Sequence, residues 1–282
     1  VSGTDTVGGI VGLNTGATAV ITNSYTTTAA TVTGTTNTGG FAGQNTISAS
    51  ITTSNAKGTV SSGTATGGFS GINSATISNS YAQGAVTAVS NGGNIGGFVG
   101  LHSAGGSIAT CYSTGTVTSL GTGAAIGGLV GNNAATITAS YSSSTVTGLN
   151  NVGGLIGNNS AAIAAGSYAT GNVTGLATGV NTGGLIGTNS GALTGLYATG
   201  AINGATRPGG LVGYTTGDIT NCFATGDVTG AGQVGGLIGY IAAGASTVSG
   251  SFAFGSVYGS TNSGGVIGHS DGSGTIANTY AL

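Results

Sequence analysis

One short pattern recurs along the whole chain: Gly-Gly, an apolar residue, one free position and another glycine. It starts at Gly8, Gly39, Gly67, Gly96, Gly127, Gly153, Gly183, Gly209, Gly235 and Gly264, at intervals of 26 to 31 residues. Periods of about 20–50 residues mark solenoids, propellers or arrays, so this tenfold repeat limits the fold more than any other feature. An aromatic follows each pair by 14 to 17 residues (Tyr25, Tyr81, Tyr112, Tyr141, Tyr168, Tyr197, Phe223, Phe252, Tyr280), except in the second unit, where Asn55 holds the place. Five positions further on stands a β-branched residue in most units, from Val86 and Val117 to Val228 and Val257. Each unit therefore reads as three short strand-like stretches with period-two alternation and glycine punctuation, and no 3.6-residue period is sustained. The corner glycines (Gly84, Gly115, Gly171, Gly200, Gly226, Gly255) fit a bend that a Cβ would crowd.

A unit of three short strands cannot bury its own apolar face, but stacked copies can. The expected fold is all-β: a parallel β-solenoid of about ten coils, one repeat per coil, three short strands per coil. At a strand spacing of roughly 4.8 Å the rod would be about 50 Å long. No composition shift divides the chain, so residues 1–282 read as a single repeat domain, uncapped at both ends.

Composition removes several function classes. Only six residues are charged (Lys57, Arg207, Asp5, Asp218, Asp227, Asp271), with 62 glycines and one proline. Two basic residues cannot neutralise a nucleic-acid backbone, so no nucleic-acid partner is expected. Disorder is opposed by an apolar content of 38% and by the near absence of proline. No uninterrupted apolar run reaches the roughly 20 residues of a membrane span, so membrane insertion is not expected. Residue 1 is valine and no leader pattern opens the chain, which reads as a processed product or an excised segment.

The stretches Gly127–Asn132, reading Gly-Gly-Leu-Val-Gly-Asn, and Ser167–Gly175, reading Ser-Tyr-Ala-Thr-Gly-Asn-Val-Thr-Gly, resemble the bacterial GLUG-motif repeats. The resemblance runs through all ten units. It implies a secreted, extracellular or cell-surface protein, since such repeats occur in adhesin-like molecules and beside some immunoglobulin-cleaving metalloproteases. It supplies no catalytic residue. The zinc signature His-Glu-x-x-His is absent, and the chain has no glutamate to complete one.

The titratable residues are too scattered for most chemistry. Cys111 and Cys222 share the slot before the aromatic, four coils and roughly 19 Å apart, beyond disulfide reach. They read as small ladder fillers, with an intermolecular disulfide or a reactive thiol as the alternative. His102 falls in a column with Asn14, Asn45, Asn73, Asn133, Asn159 and Asn189, and His269 in the preceding column with Asn132 and Asn158, so no shared metal is expected. Asp218 and Asp227 share a unit but lie on different strands, a weak basis for a carboxylate pair. The Gly-x-Gly-x-x-Gly match at Gly230–Gly235 bridges two strands without a following helix, which removes its dinucleotide reading. No catalytic residue, cofactor or metal is expected.

Three surfaces remain as candidates. Outward threonines beside the valine column (Thr31, Thr33, Thr59, Thr116, Thr118, Thr145, Thr147) resemble the water-ordering arrays of ice-binding solenoids. Farther along, the pairs change to Asn172/Thr174, Ala201/Asn203, Asp227/Thr229 and Ser256/Tyr258. On the first strand a second apolar column (Val99, Val130, Ile156, Ile186, Val212, Ile238, Ile267) follows the first. Strict alternation would expose it as a lateral contact stripe, whereas a bend at the glycines would bury both columns. At the ends, Tyr280-Ala281-Leu282 followed by Val1-Ser2-Gly3 of another copy nearly recreates the repeat, with about two residues missing. The expected function is a structural rod forming or belonging to a surface fibre or adhesin, not an enzyme. Its partner would be itself, head to tail, or neighbouring repeats of a longer chain; any host or surface ligand is not legible. The alternatives are an ice-binding solenoid and a carbohydrate-binding or carbohydrate-cleaving β-helix.

Overall fold

In the computed structural model, residues 1–88, 93–122, 125–244, 246–272 and 274–282 are described. Among these the chain is all-β, without a helix, and every strand pairs in parallel with its counterpart one repeat away. The ten units wind a parallel β-solenoid of about nine complete turns. The three expected stretches are present as three sides, but two of them are kinked, so a typical coil shows five strands. One coil illustrates the set: Ala125–Gly127, Val130–Asn133, Thr136–Thr138, Tyr141–Ser142 and Val146–Gly148. Stacked, these become a Gly-Gly, an asparagine, an isoleucine, a tyrosine and a valine ladder.

Both kinks have local causes. At the first, the Leu129 and Val130 amides donate to the same carbonyl, Leu155 O, each at 2.9 Å. That arrangement turns two consecutive side chains inward. Glycine is needed there because backbone packs on backbone. A Cβ on Gly127 would collide with Val130 O, one on Gly128 with Gly154 O of the next coil, and one on Gly131 would meet Ile95 N of the preceding coil at 2.5 Å. The second kink is a residue of positive φ just before the cysteine and serine slot, such as Asn79 (φ 49), Thr110 (φ 55) or Ala139 (φ 45). Serine in that slot holds the kink: Ser140 Oγ donates to Thr138 O at 2.8 Å and accepts from Cys111 N at 3.0 Å.

The bend overturns the lateral stripe. Val99, Val130, Ile156, Ile186, Val212 and Ile238 are fully buried, and Ile267 of the last coil is half-buried and packs on the same core. Alternation fails here because the Gly-Gly corner rotates the chain between the two residues. Both columns therefore line the larger core lobe, together with Ile77, Ile108 and Ile137. A second lobe holds the valine ladder and residues such as Ile95, Ile126 and Val152. The waist between the lobes is narrow, since a Cβ on Gly154 would stand 3.1 Å from the Ala169 methyl across it.

The isoleucine ladder breaks once. It runs as five strands from Val20–Thr22 to Thr136–Thr138 and resumes as four from Leu193–Thr194, with Ile163 making only an isolated bridge to Leu193. Between Ile163 and Ser167 the sixth coil carries one residue more than Ile137 to Ser140 in the fifth. An extra residue leaves a strand locally unpaired.

Candidate functional site

Vertical registry brings like residues into columns, and it decides what each candidate can do. The tyrosine ladder stacks ring on ring outside the core, with centroids 4.8 to 5.0 Å apart from Tyr81 through Tyr112, Tyr141, Tyr168 and Tyr197 to Phe223. Asn55 takes the ring's place between Tyr25 and Tyr81, as its spacing indicated.

The asparagine column is a buried hydrogen-bond ladder. Asn14 Nδ2 donates to Asn45 Oδ1 and Asn45 Nδ2 to Asn73 Oδ1, both at 2.8 Å. It runs again from Asn133 to Asn159 and Asn189, also at 2.8 Å, and ends on Thr215 Oγ1 at 3.2 Å. His102 interrupts it. Its Nε2 lies 3.2 Å from Thr136 O, and its Nδ1 3.2 Å from both the Asn73 side-chain Nδ2 and the Asn73 backbone O. Burial is the main cause that lowers the His102 pKa below its ordinary 6.5. The unfolded chain then takes up the proton first, so stability is whole above about pH 6.5 and declines as the pH falls toward the folded-state value. Urea midpoints measured between about pH 7 and pH 5 should fall, and His102→Asn, which restores the ladder, should flatten that slope.

Cys111 and Cys222 are free and buried, four coils apart in the serine slot. Burial pushes the Cys111 thiol up to about 12 and raises that of Cys222. Such thiols are inert fillers rather than nucleophiles. Asp218 Oδ1 accepts from Thr247 N at 2.7 Å and Asp227 Oδ1 from Ser256 N at 2.9 Å. Each carboxylate thus secures the backbone of the next coil, on the isoleucine and valine sides respectively. Among the described residues no cluster of three or more His, Cys, Asp or Glu is placed to hold a metal.

The threonines stand where alternation puts them. Thr31, Thr33, Thr59, Thr116 and Thr145 are exposed, and Thr118 and Thr147 are half-buried, all flanking the inward valines. Registry adds Thr87 between Ser61 and Thr118, and Thr174 beyond Thr147. At the ends, Ser2 bridges Thr33 in parallel, with Thr33 N donating to Val1 O at 2.9 Å and Gly3 N to Thr33 O at 3.1 Å. Val1–Gly3 thus forms one further rung of the valine ladder. Tyr280 and Ala281 form a rung of the tyrosine ladder, paired with Phe252 and Ala253, and Leu282 follows them.

Sequence reasoning missed one polar cluster. Tyr214, Tyr240 and His269 stack in the column already assigned to His269, with centroids 5.5 and 5.2 Å apart. The Arg207 guanidinium lies 4.3 Å from the Tyr240 centroid and 5.5 Å from that of Tyr214. Asp271 accepts from the Tyr240 hydroxyl and lies 2.6 Å from His269 Nε2. Those two hydrogen bonds, Tyr240 first, hold the Asp271 carboxyl below its usual range, and the same bond raises the Tyr240 pKa. The equal column positions of Tyr214, Tyr240 and His269 were the available signal. The neighbouring Arg207 gave none, because it stands in a column of mostly asparagine and alanine.

Parallel ladders of like residues, repeated coil after coil, define a structural repeat protein. The family model for the GLUG motif matches two stretches of the chain, residues 91–118 and 204–229. Each match contains one of the repeating Gly-Gly pairs, the aromatic that follows it and the valine five positions beyond, the span of one repeat. No curated protein and no solved structure matches the chain.

Proposed function

We propose that the chain is a structural rod of a secreted or cell-surface fibre or adhesin, not an enzyme, whose coils stack on like coils. The observation that carries this reading is coil-on-coil registry: the ladders pair in parallel from one repeat to the next, and inward residues such as Phe69 and Leu155 are sealed by the like residues above and below them. A further coil, from a second copy or from more repeats of the same chain, presents the same columns. Open β-ends favour strand addition, and a chain with only six charges offers little repulsion against it. The surface location rests on the family resemblance. Negative-stain imaging over a concentration series tests self-stacking. Rods lengthening in multiples of roughly 50 Å are expected, whereas dispersed single rods at the highest concentration would remove a second copy as partner.

A further inference from the structure

The valine side changes character in the sixth to eighth coils. In place of threonine its outer column carries Asn172, Ala201 and Asp227, while the parallel column carries Thr174, Asn203 and Thr229. With only a methyl at Ala201, a depression of about 290 Å³ opens between Asn172 and Asp227, floored by that methyl and by the strand backbone at Val173 and Ile202, whose side chains point into the core. A second depression of about 330 Å³ adjoins it, sharing Asn203 and Thr229, and is lined by Ala177, Ala205, Ala231 and glycine backbone. Together they form one trough crossing three coils.

Its chemistry is specific. Asn172 Oδ1 accepts from Ala201 N at 3.0 Å, which fixes the side chain and leaves Nδ2 free to donate. Asp227 uses Oδ1 on Ser256 N and keeps Oδ2 as an acceptor. Among the described residues no protein partner is found for the Asn203 amide or for the Thr174 and Thr229 hydroxyls. The trough therefore presents donors and acceptors side by side around the methyl groups of Ala201, Ala177, Ala205 and Ala231. It has no cation to attract an anion and a single carboxylate to repel one. A ligand with adjacent hydroxyls on its rim and a C–H face beneath matches that pattern, and a few placed polar groups over an apolar lining are typical of small-molecule sites.

We propose that this trough binds a neutral saccharide, one hexopyranose ring in each depression. The proposal deepens the reading of the rod as an adhesin by naming the ligand class. The test is amide NMR on the ¹⁵N-labelled chain titrated with D-glucose, D-galactose, D-mannose and N-acetyl-D-glucosamine at millimolar concentrations. At least one sugar should shift the amides of Ala201, Asn203, Asp227 and Thr229 in a saturable way. Ala201→Thr, which places the threonine found at Thr116 and Thr145 into the gap, should abolish those shifts. Asn203→Ala should weaken binding about fivefold through one lost hydrogen bond. No shift with any of the four sugars, or shifts that persist unchanged in Ala201→Thr, would overturn the proposal. Either result leaves the rod reading standing, because imaging judges stacking separately.

Discussion

Replacing Phe69 with alanine is expected to destabilise the solenoid by about 3–5 kcal/mol, the range for removing a large aromatic from a packed core. Phe69 is the middle ring of a stack of three, with centroids 4.7 Å from Phe41 and 4.8 Å from Phe98, and all three are fully buried. Alanine there leaves a gap that both neighbours face and neither can fill, because each is held by its own coil. Phe69→Leu should cost far less, about 1 kcal/mol, since the same column carries Leu129, Leu155, Leu185, Leu211 and Leu237. Repeat stacks share energy between nearest neighbours, so the damage should be local. Hydrogen exchange should accelerate around the second to fourth coils first, with urea denaturation reading the total loss.

Gly128→Ala should cost at least about 3 kcal/mol and give largely insoluble protein, as an extreme case of overpacking. The added methyl would collide with Gly154 O and Ser142 Oγ, one of which is backbone of the next coil and cannot rotate away. Gly16 is the control: a Cβ there meets nothing within 4 Å, although its φ is +102°. Gly16→Ala should therefore cost only the backbone strain, roughly 1–2 kcal/mol. Comparing thermal midpoints and soluble yields of the two variants separates steric exclusion from glycine's backbone preference.

The columns were legible because registry needs only spacing. The aromatic ladder, the substitution of His102 into the asparagine column and the shared slot of Cys111 and Cys222 could all be placed by counting from the Gly-Gly pairs. The fate of Val130 and Ile156 could not. Alternation assumes a straight strand, and only the two amides converging on Leu155 O reveal that the corner turns consecutive residues to the same side. At Ile163 spacing shows the added residue before Ser167, but only the pairing shows that it unpairs the strand and leaves the ladders around it intact. The trough was hidden for a further reason. Asn172, Ala201 and Asp227 read as a faded threonine ladder, and the missing volume at Ala201 has meaning only once its neighbours are seen on both sides.

The most direct test of the account is a NOESY spectrum of selectively tyrosine-labelled protein, with rings assigned by single Tyr→Phe variants. Parallel stacking at 5.0 Å predicts cross-peaks between the Tyr112 and Tyr141 rings and between the Tyr141 and Tyr168 rings, with none between Tyr112 and Tyr168. A missing Tyr112–Tyr141 cross-peak in the folded chain, or a direct one between Tyr112 and Tyr168, would contradict the one-repeat-per-coil solenoid.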